Sequence, residues 1–130
     1  MNVGVLLLTH EEVGSALLRT AVQVIGNCPV TTRVLNAAAG CDPERVLEEA
    51  RAAIDAIDSG AGVLVLTDVI GATPCNIACR LRKDDRVRIV SGLNLPMLLR
   101  VLNYPRLPLD ELEAKALSGG RDGVQSCNVA

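Results

Sequence analysis

The chain has 130 residues, the size of one domain, and 49% of them are hydrophobic, enough to bury a core without disulfide or metal staples. Its net charge is -2 and Tyr104 is its sole aromatic residue. It therefore has neither the basic footprint that duplex nucleic acid demands nor the stacking platforms that single strands use. The first apolar run, Val3 to Leu8, is too short and lacks the basic flank of a signal peptide, and no stretch is long enough to span a bilayer. A cytoplasmic location is expected. The cysteines Cys28, Cys41, Cys75, Cys79 and Cys127 are odd in number and match no disulfide framework, so they read as reduced thiols.

Val3 to Leu8 suits a strand buried on both faces, ending at Thr9-His10. Val13, Leu17, Ala21 and Val24 follow helical spacing, and Gly26-Asn27 stops that helix. Val30 to Leu35 is a β-branched strand, more polar and so nearer an edge. Asp42-Pro43 is a helix start, a capping carboxylate followed by proline in the first turn. The apolar stripe Val46, Leu47, Ala50, Ala53, Ile54 and Ile57 follows, and Gly60 is read as the stop. Gly62 to Thr67 is another buried strand, and Asp68 to Thr73 is a loop. Thr73-Pro74 reads as a second cap-plus-proline start, opening a helix to about Arg82. Val87 to Val90 is the fourth strand. Pro96 opens a helix ending near Asn103. A last helix covers Leu109 to Leu117, with Gly119, Gly120 and Gly123 breaking it. Val124 to Val129 is either a final strand or a loose tail.

Strands separated by helices imply an α/β fold with a parallel sheet and right-handed crossovers, in one domain over residues 1–130. Ligand sites in such sheets lie beyond the carboxyl ends of the strands. His10, Asp68, Thr73 and Asn94, remote in sequence, are thus expected to converge. His10 is the only histidine. Asp68 either holds its Nδ1–H, fixing the tautomer and stabilising charge on the ring as Nε2 attacks, or merely caps its loop; the pattern leaves both open. Gly71-Ala72-Thr73-Pro74 runs into a helix N-terminus, where free amides around Cys75 and Asn76 and the Thr73 hydroxyl suit an anion, unless the segment is an ordinary cap. Cys75 and Cys79 share a helix face, but no second pair or nearby histidine completes a zinc set, so no metal and no cofactor is expected. A nucleophilic histidine, an orienting carboxylate and an anion cradle together form a kit for histidine phosphorylation. A hydrolase is less economical, because no serine or cysteine has a base other than His10.

Four stretches carry a resemblance to a known family. They are Val3 to His10, ending in Thr-His; Gly62 to Asn76, with the Thr-Asp and Gly-Ala-Thr-Pro segments; Ser91 to Leu98, a Gly-x-Asn-x-Pro-Met loop; and Gly120-Arg121-Asp122-Gly123-Val124. In order and spacing they resemble the mannose-family IIA component of the bacterial phosphoenolpyruvate-dependent sugar phosphotransferase system. The resemblance implies that His10 is phosphorylated on Nε2 by the phosphocarrier HPr and passes the group to a IIB component, which for this chain is a separate protein if present. It also implies that Asp68 orients the ring and that Thr73, with Gly71, Ala72 and Asn76, binds the phosphoryl group, with Asn94 in a loop nearby. The implied fold is a three-layer α/β/α sandwich whose last, antiparallel strand is exchanged in a homodimer, giving Val124 to Cys127 a role. Contact with the membrane is indirect, through a IIC/IID permease. Ile70 departs from the pattern, since some transport members carry an aromatic residue there.

The alternative reading is a stand-alone regulatory module in which phosphorylation of His10 controls partner binding without sugar transport. A donor role toward dihydroxyacetone kinase, from a related branch, and a small-molecule enzyme with a deep pocket rank below both.

Overall fold

The computed structural model describes residues 1–82 and 85–127. The elements run β1 (Gly4–His10), α1 (Val13–Ile25), β2 (Thr32–Ala37), α2 (Pro43–Ile57), β3 (Val63–Thr67), α3 (Thr73–Cys79), β4 (Val87–Ser91), α4 (Leu95–Leu102) and α5 (Leu109–Asp122). The four strands form one parallel sheet in the order β2-β1-β3-β4.

That order follows from the side chains. β1 and β3 are apolar on both faces and occupy the centre, where both faces are covered. β2 and β4 carry Arg33, Asn36 and Arg88 and take the edges, which leaves their polar groups partly wet. One core packs α1, α4 and α5 against Val5, Leu7, Leu64 and Leu66. The other packs α2 and α3 against Leu6, Leu8, Val63 and Val65. Successive residues of one strand thus feed opposite layers. Fully buried leucines such as Leu6, Leu8, Leu64 and Leu98 contribute about 2 kcal/mol each.

Several boundaries differ from the sequence reading. Asp42 does cap α2, its Oδ1 accepting from the Glu44 amide at 3.1 Å. The helix ends at Ile57, though, and Asp58 is its C-cap. Gly60 lies beyond, its amide donating to Asp58 Oδ1. Thr73 is the first residue of α3, not its cap; Ala72 holds the cap position without a side-chain bond, and the helix stops at Cys79 rather than near Arg82.

α5 runs straight through Gly119 and Gly120 to Asp122. These glycines serve close approach: a Cβ on Gly119 would stand 2.8 Å from Arg100 Cβ, and one on Gly123 2.3 Å from Pro96 Cβ. α4 and α5 pack too closely there for any side chain. Within this chain the described residues Val124–Cys127 belong to no strand. Asn128 and Val129, the rest of the segment read as a final strand or tail, lie outside the described residues.

Candidate functional site

β1 and β3 are adjacent, yet the chain leaves β1 toward β2 on one side and reaches β3 on the other. The carboxyl ends of β1 and β3 therefore flank the point where the winding reverses, the place where a crevice opens in such sheets. His10 ends β1, and Asp68 follows β3 directly. The His10 side chain is 43% exposed and that of Asp68 only 10%.

The Asp68 carboxylate gathers three nitrogen partners. Its Oδ2 accepts from the His10 backbone amide at 3.1 Å. His10 Nδ1 lies 3.0 Å from Oδ2 and 3.2 Å from Oδ1. The Val69 amide donates to Oδ1 at 3.1 Å. A carboxylate only accepts, so the ring proton of neutral His10 belongs on Nδ1, leaving the lone pair on Nε2. Asp68 thus holds both the backbone and the ring of His10 and also steadies its own loop, so the two roles left open by the sequence coexist. The residue before the histidine fixes the other side: Thr9 is fully buried and its Oγ1 accepts from the Gly14 amide at 2.7 Å, tying the strand end to the start of α1.

His10 and Thr73 face a common cleft of about 200 Å³, lined also by Glu11, Ala38–Cys41 and Pro43. In the first turn of α3, Pro74 has no N–H, and the Asn76 amide is taken by Ala72 O at 2.9 Å. The Asn76 side chain donates to Gly71 O at 3.2 Å. Asn76 therefore braces the Gly71–Thr73 loop, and the expectation that its amide is free for an anion is corrected. The amides of Thr73 and Cys75 make no hydrogen bond among the described residues. Gly71 turns at φ +81°, a conformation natural to glycine.

Asn94 stands apart from this arrangement. Its Oδ1 caps α4 by accepting from Met97 N at 2.9 Å, and its Nδ2 donates to Gly120 O at 3.1 Å. Both ends of the amide are committed to joining α4 and α5.

Sequence reasoning missed two features. The Ala38–Gly40 segment forms a wall of the cleft because β2 neighbours β1, which the strand order reveals and the residue types do not. Beneath the Asp68–Thr73 loop lies a chain of small polar groups, Thr67 Oγ1 to Ser91 Oγ and Ser91 Oγ to Cys75 Sγ at 3.2 Å. Burial pushes the Cys75 thiol up, but hydrogen bonds from Ser91, the Gly71 backbone, Cys79 and Thr67 outweigh it and hold the thiol below its ordinary value. Cys79 is pushed up by burial and by Cys75. No group of three or more metal-ligating side chains occurs among the described residues, and no helix among them is long and apolar enough to cross a membrane.

Comparison with known proteins gives the arrangement a context. Residues 4–113 match the EIIA-man family model, described as the PTS system fructose IIA component. The chain is 30% identical over 129 residues to the mannose-specific EIIAB component of Escherichia coli K12, covering 97% of this chain and 40% of that protein. It thus spans well under half the length of that curated relative. Its structure superposes on the PTS IIA protein associated with the fucose utilization operon of Streptococcus pneumoniae, with a TM-score of 0.80, 28% identity and coverage of 97% and 93% of the two chains. It also superposes on the mannose/sorbose-specific IIA subunit of Enterococcus faecalis, with a TM-score of 0.87, 24% identity and coverage of 100% and 98%. With its family model matched over most of its length, the chain belongs to the mannose-type IIA components of the phosphotransferase system.

Proposed function

We propose that this chain is a phosphoryl carrier: His10 accepts a phosphoryl group from phospho-HPr on Nε2 and hands it to a IIB component. The observation that carries the reading is the His10–Asp68 pair, in which the carboxylate holds Nδ1–H at 3.0 Å while the half-exposed ring keeps Nε2 free. As Nε2 attacks phosphorus in line, the bond to the donor histidine breaks and positive charge grows on the imidazole. Asp68, already in place, stabilises that charge without reorganising. The Thr73 hydroxyl and the amides of Thr73 and Cys75, with the turn at Gly71 and Ala72, supply donors for the phosphoryl oxygens. The resulting P–N bond retains high transfer potential, so the step reverses readily toward an acceptor. Neither metal nor cofactor is required by this scheme.

In the same proposal the chain acts as one domain in the cytoplasm and reaches the membrane only through a IIC/IID permease. It also pairs as a homodimer. Among the described residues β4 is an edge strand, a place where a further strand can pair. Beside it, a cleft of about 600 Å³ is lined by Ser91, Gly92, Met97, Leu117, Gly120, Arg121 and Val124. The C-terminal segment of a second copy fits that role.

The test is incubation with phosphoenolpyruvate, Enzyme I and HPr, followed by intact mass. An acid-labile, base-stable phosphate that needs both HPr and His10 supports the carrier. Its absence, with cognate HPr and folded protein, refutes it.

A further inference from the structure

Glu11 is the one non-glycine residue with a positive φ among the described residues, at φ 44°. This left-handed conformation strains any residue bearing a Cβ, and such strain persists only where the surroundings over-determine it. Two hydrogen bonds hold it here. The Glu11 amide donates to Ala37 O at 3.2 Å, carrying the β1–β2 ladder one step past the His10–Ala37 pairing. The Glu11 carboxylate accepts from the Ala39 amide at 2.7 Å through Oε1. The loop's own bond, from Cys41 N to Ala38 O at 3.0 Å, closes it on itself, so its tie to the β1 turn runs through Glu11.

The location gives the strain a use. Glu11 follows His10 directly, so the reversal of the chain at Glu11 fixes the path the backbone takes away from the strand end that bears His10. Its carboxylate also fixes the Ala38–Cys41 loop, which faces His10 and Thr73 across the cleft of about 200 Å³. One residue thereby joins the strand end that bears His10 to the opposite wall of the cleft. A glycine at this position relaxes the backbone but has no carboxylate to hold the wall.

We propose that Glu11 is a positioning residue for phosphoryl transfer at His10, its strained backbone and its bond to Ala39 together setting the geometry of the cleft that the phosphoryl group enters. The inference rests on the carrier reading and adds to it a residue that acts through the backbone at His10 and the Ala38–Cys41 wall.

The experiment compares wild type, Glu11→Gly and Glu11→Gln by the rate of His10 labelling over a range of phospho-HPr concentrations, by thermal melting, and by hydrogen exchange of the Ala39 amide. Glu11→Gly is expected to melt at or above the wild-type temperature because strain is released. Its maximal transfer rate should nevertheless fall roughly tenfold or more, since a misplacement of about 1 Å costs up to roughly 100-fold. The half-saturating phospho-HPr concentration should change little, and Ala39 should lose protection. Glu11→Gln keeps a carbonyl acceptor and should recover most of the rate and the protection. The proposal is overturned if Glu11→Gly transfers at the wild-type rate, if rate and melting temperature fall together, or if Glu11→Gln is no better than Glu11→Gly. A wild type that HPr cannot label refutes the carrier reading itself and this inference with it, whereas a labelled wild type with an unaffected Glu11→Gly refutes this inference alone.

Discussion

Two loops leave the same end of the sheet, one after β3 and one after β4, and each places a short polar side chain near the strand end. Asp68, after β3, reaches across 58 residues of sequence to hold the His10 ring, which remains open to solvent. Asn94, after β4, is consumed by the fold, with one end of its amide on Met97 N and the other on Gly120 O. The comparison separates position from availability. A polar residue beyond a strand marks where chemistry is possible, and the remaining hydrogen-bond capacity around it decides whether chemistry can occur.

The largest expected effect breaks the first loop's role outright. His10→Ala should abolish phosphate labelling by intact mass while leaving the circular-dichroism melt essentially unchanged, because the ring is half exposed and packs in neither core. Asp68→Asn comes next. Exchanging a charge-assisted bond, worth about 1.5–3 kcal/mol, for a neutral one worth about 1 kcal/mol should slow single-turnover labelling by roughly 10-fold; full rates in this variant would sink the proposed role of Asp68. The second loop should show the opposite signature. Asn94→Ala removes a helix cap and strands a carbonyl, and should destabilise the protein by about 2 kcal/mol in urea titration with labelling rates near wild type.

Gly119→Ala probes the same helix pair from the other side. The clash with Arg100 Cβ outweighs the better helix propensity of alanine, for a net loss of about 1 kcal/mol, or roughly 4 °C in melting temperature. Smallest of all is Arg80→Ala. Arg80 Nη1 donates to Glu44 Oε1 at 2.6 Å, and that bond together with the guanidinium charge holds the Glu44 carboxyl below its ordinary value. Any contribution is present at neutral pH and fades as acid protonates Glu44, but the pair is exposed and screened, so no change in melting temperature should be measurable.

The sheet was legible because β1 and β3 are unbroken aliphatic runs, and Asp42-Pro43 announces α2 with its own cap. The meeting of His10 and Asp68 was legible for a different reason: parallel sheets bring strand ends together whatever their separation in sequence. The misread parts share a cause, in that tertiary contact overrode a local signal. Gly119 and Gly120 read as breakers because an isolated helix disfavours them, yet α4 lies so close that only glycine fits. Thr73 has the residue type of a cap, but its backbone is already helical. Asn94 looked like a site residue because nothing nearby in sequence signals that Gly120, 26 residues on, claims its amide. Glu11 carries no signal at all, since its strain exists only because Ala37 at the end of β2 and Ala39 in the loop after it hold it.

The glycine-lined contact between α4 and α5 also bears on how the molecule opens. A helix end with Gly119, Gly120 and then Gly123 beyond it has little tendency to form alone, each interior glycine weakening it by about 1 kcal/mol. It survives because it is docked. Undocking and unwinding are therefore a single event, and amides from Ser118 to Asp122 should exchange with deuterium together with those of α4 rather than fraying one by one from the carboxyl terminus.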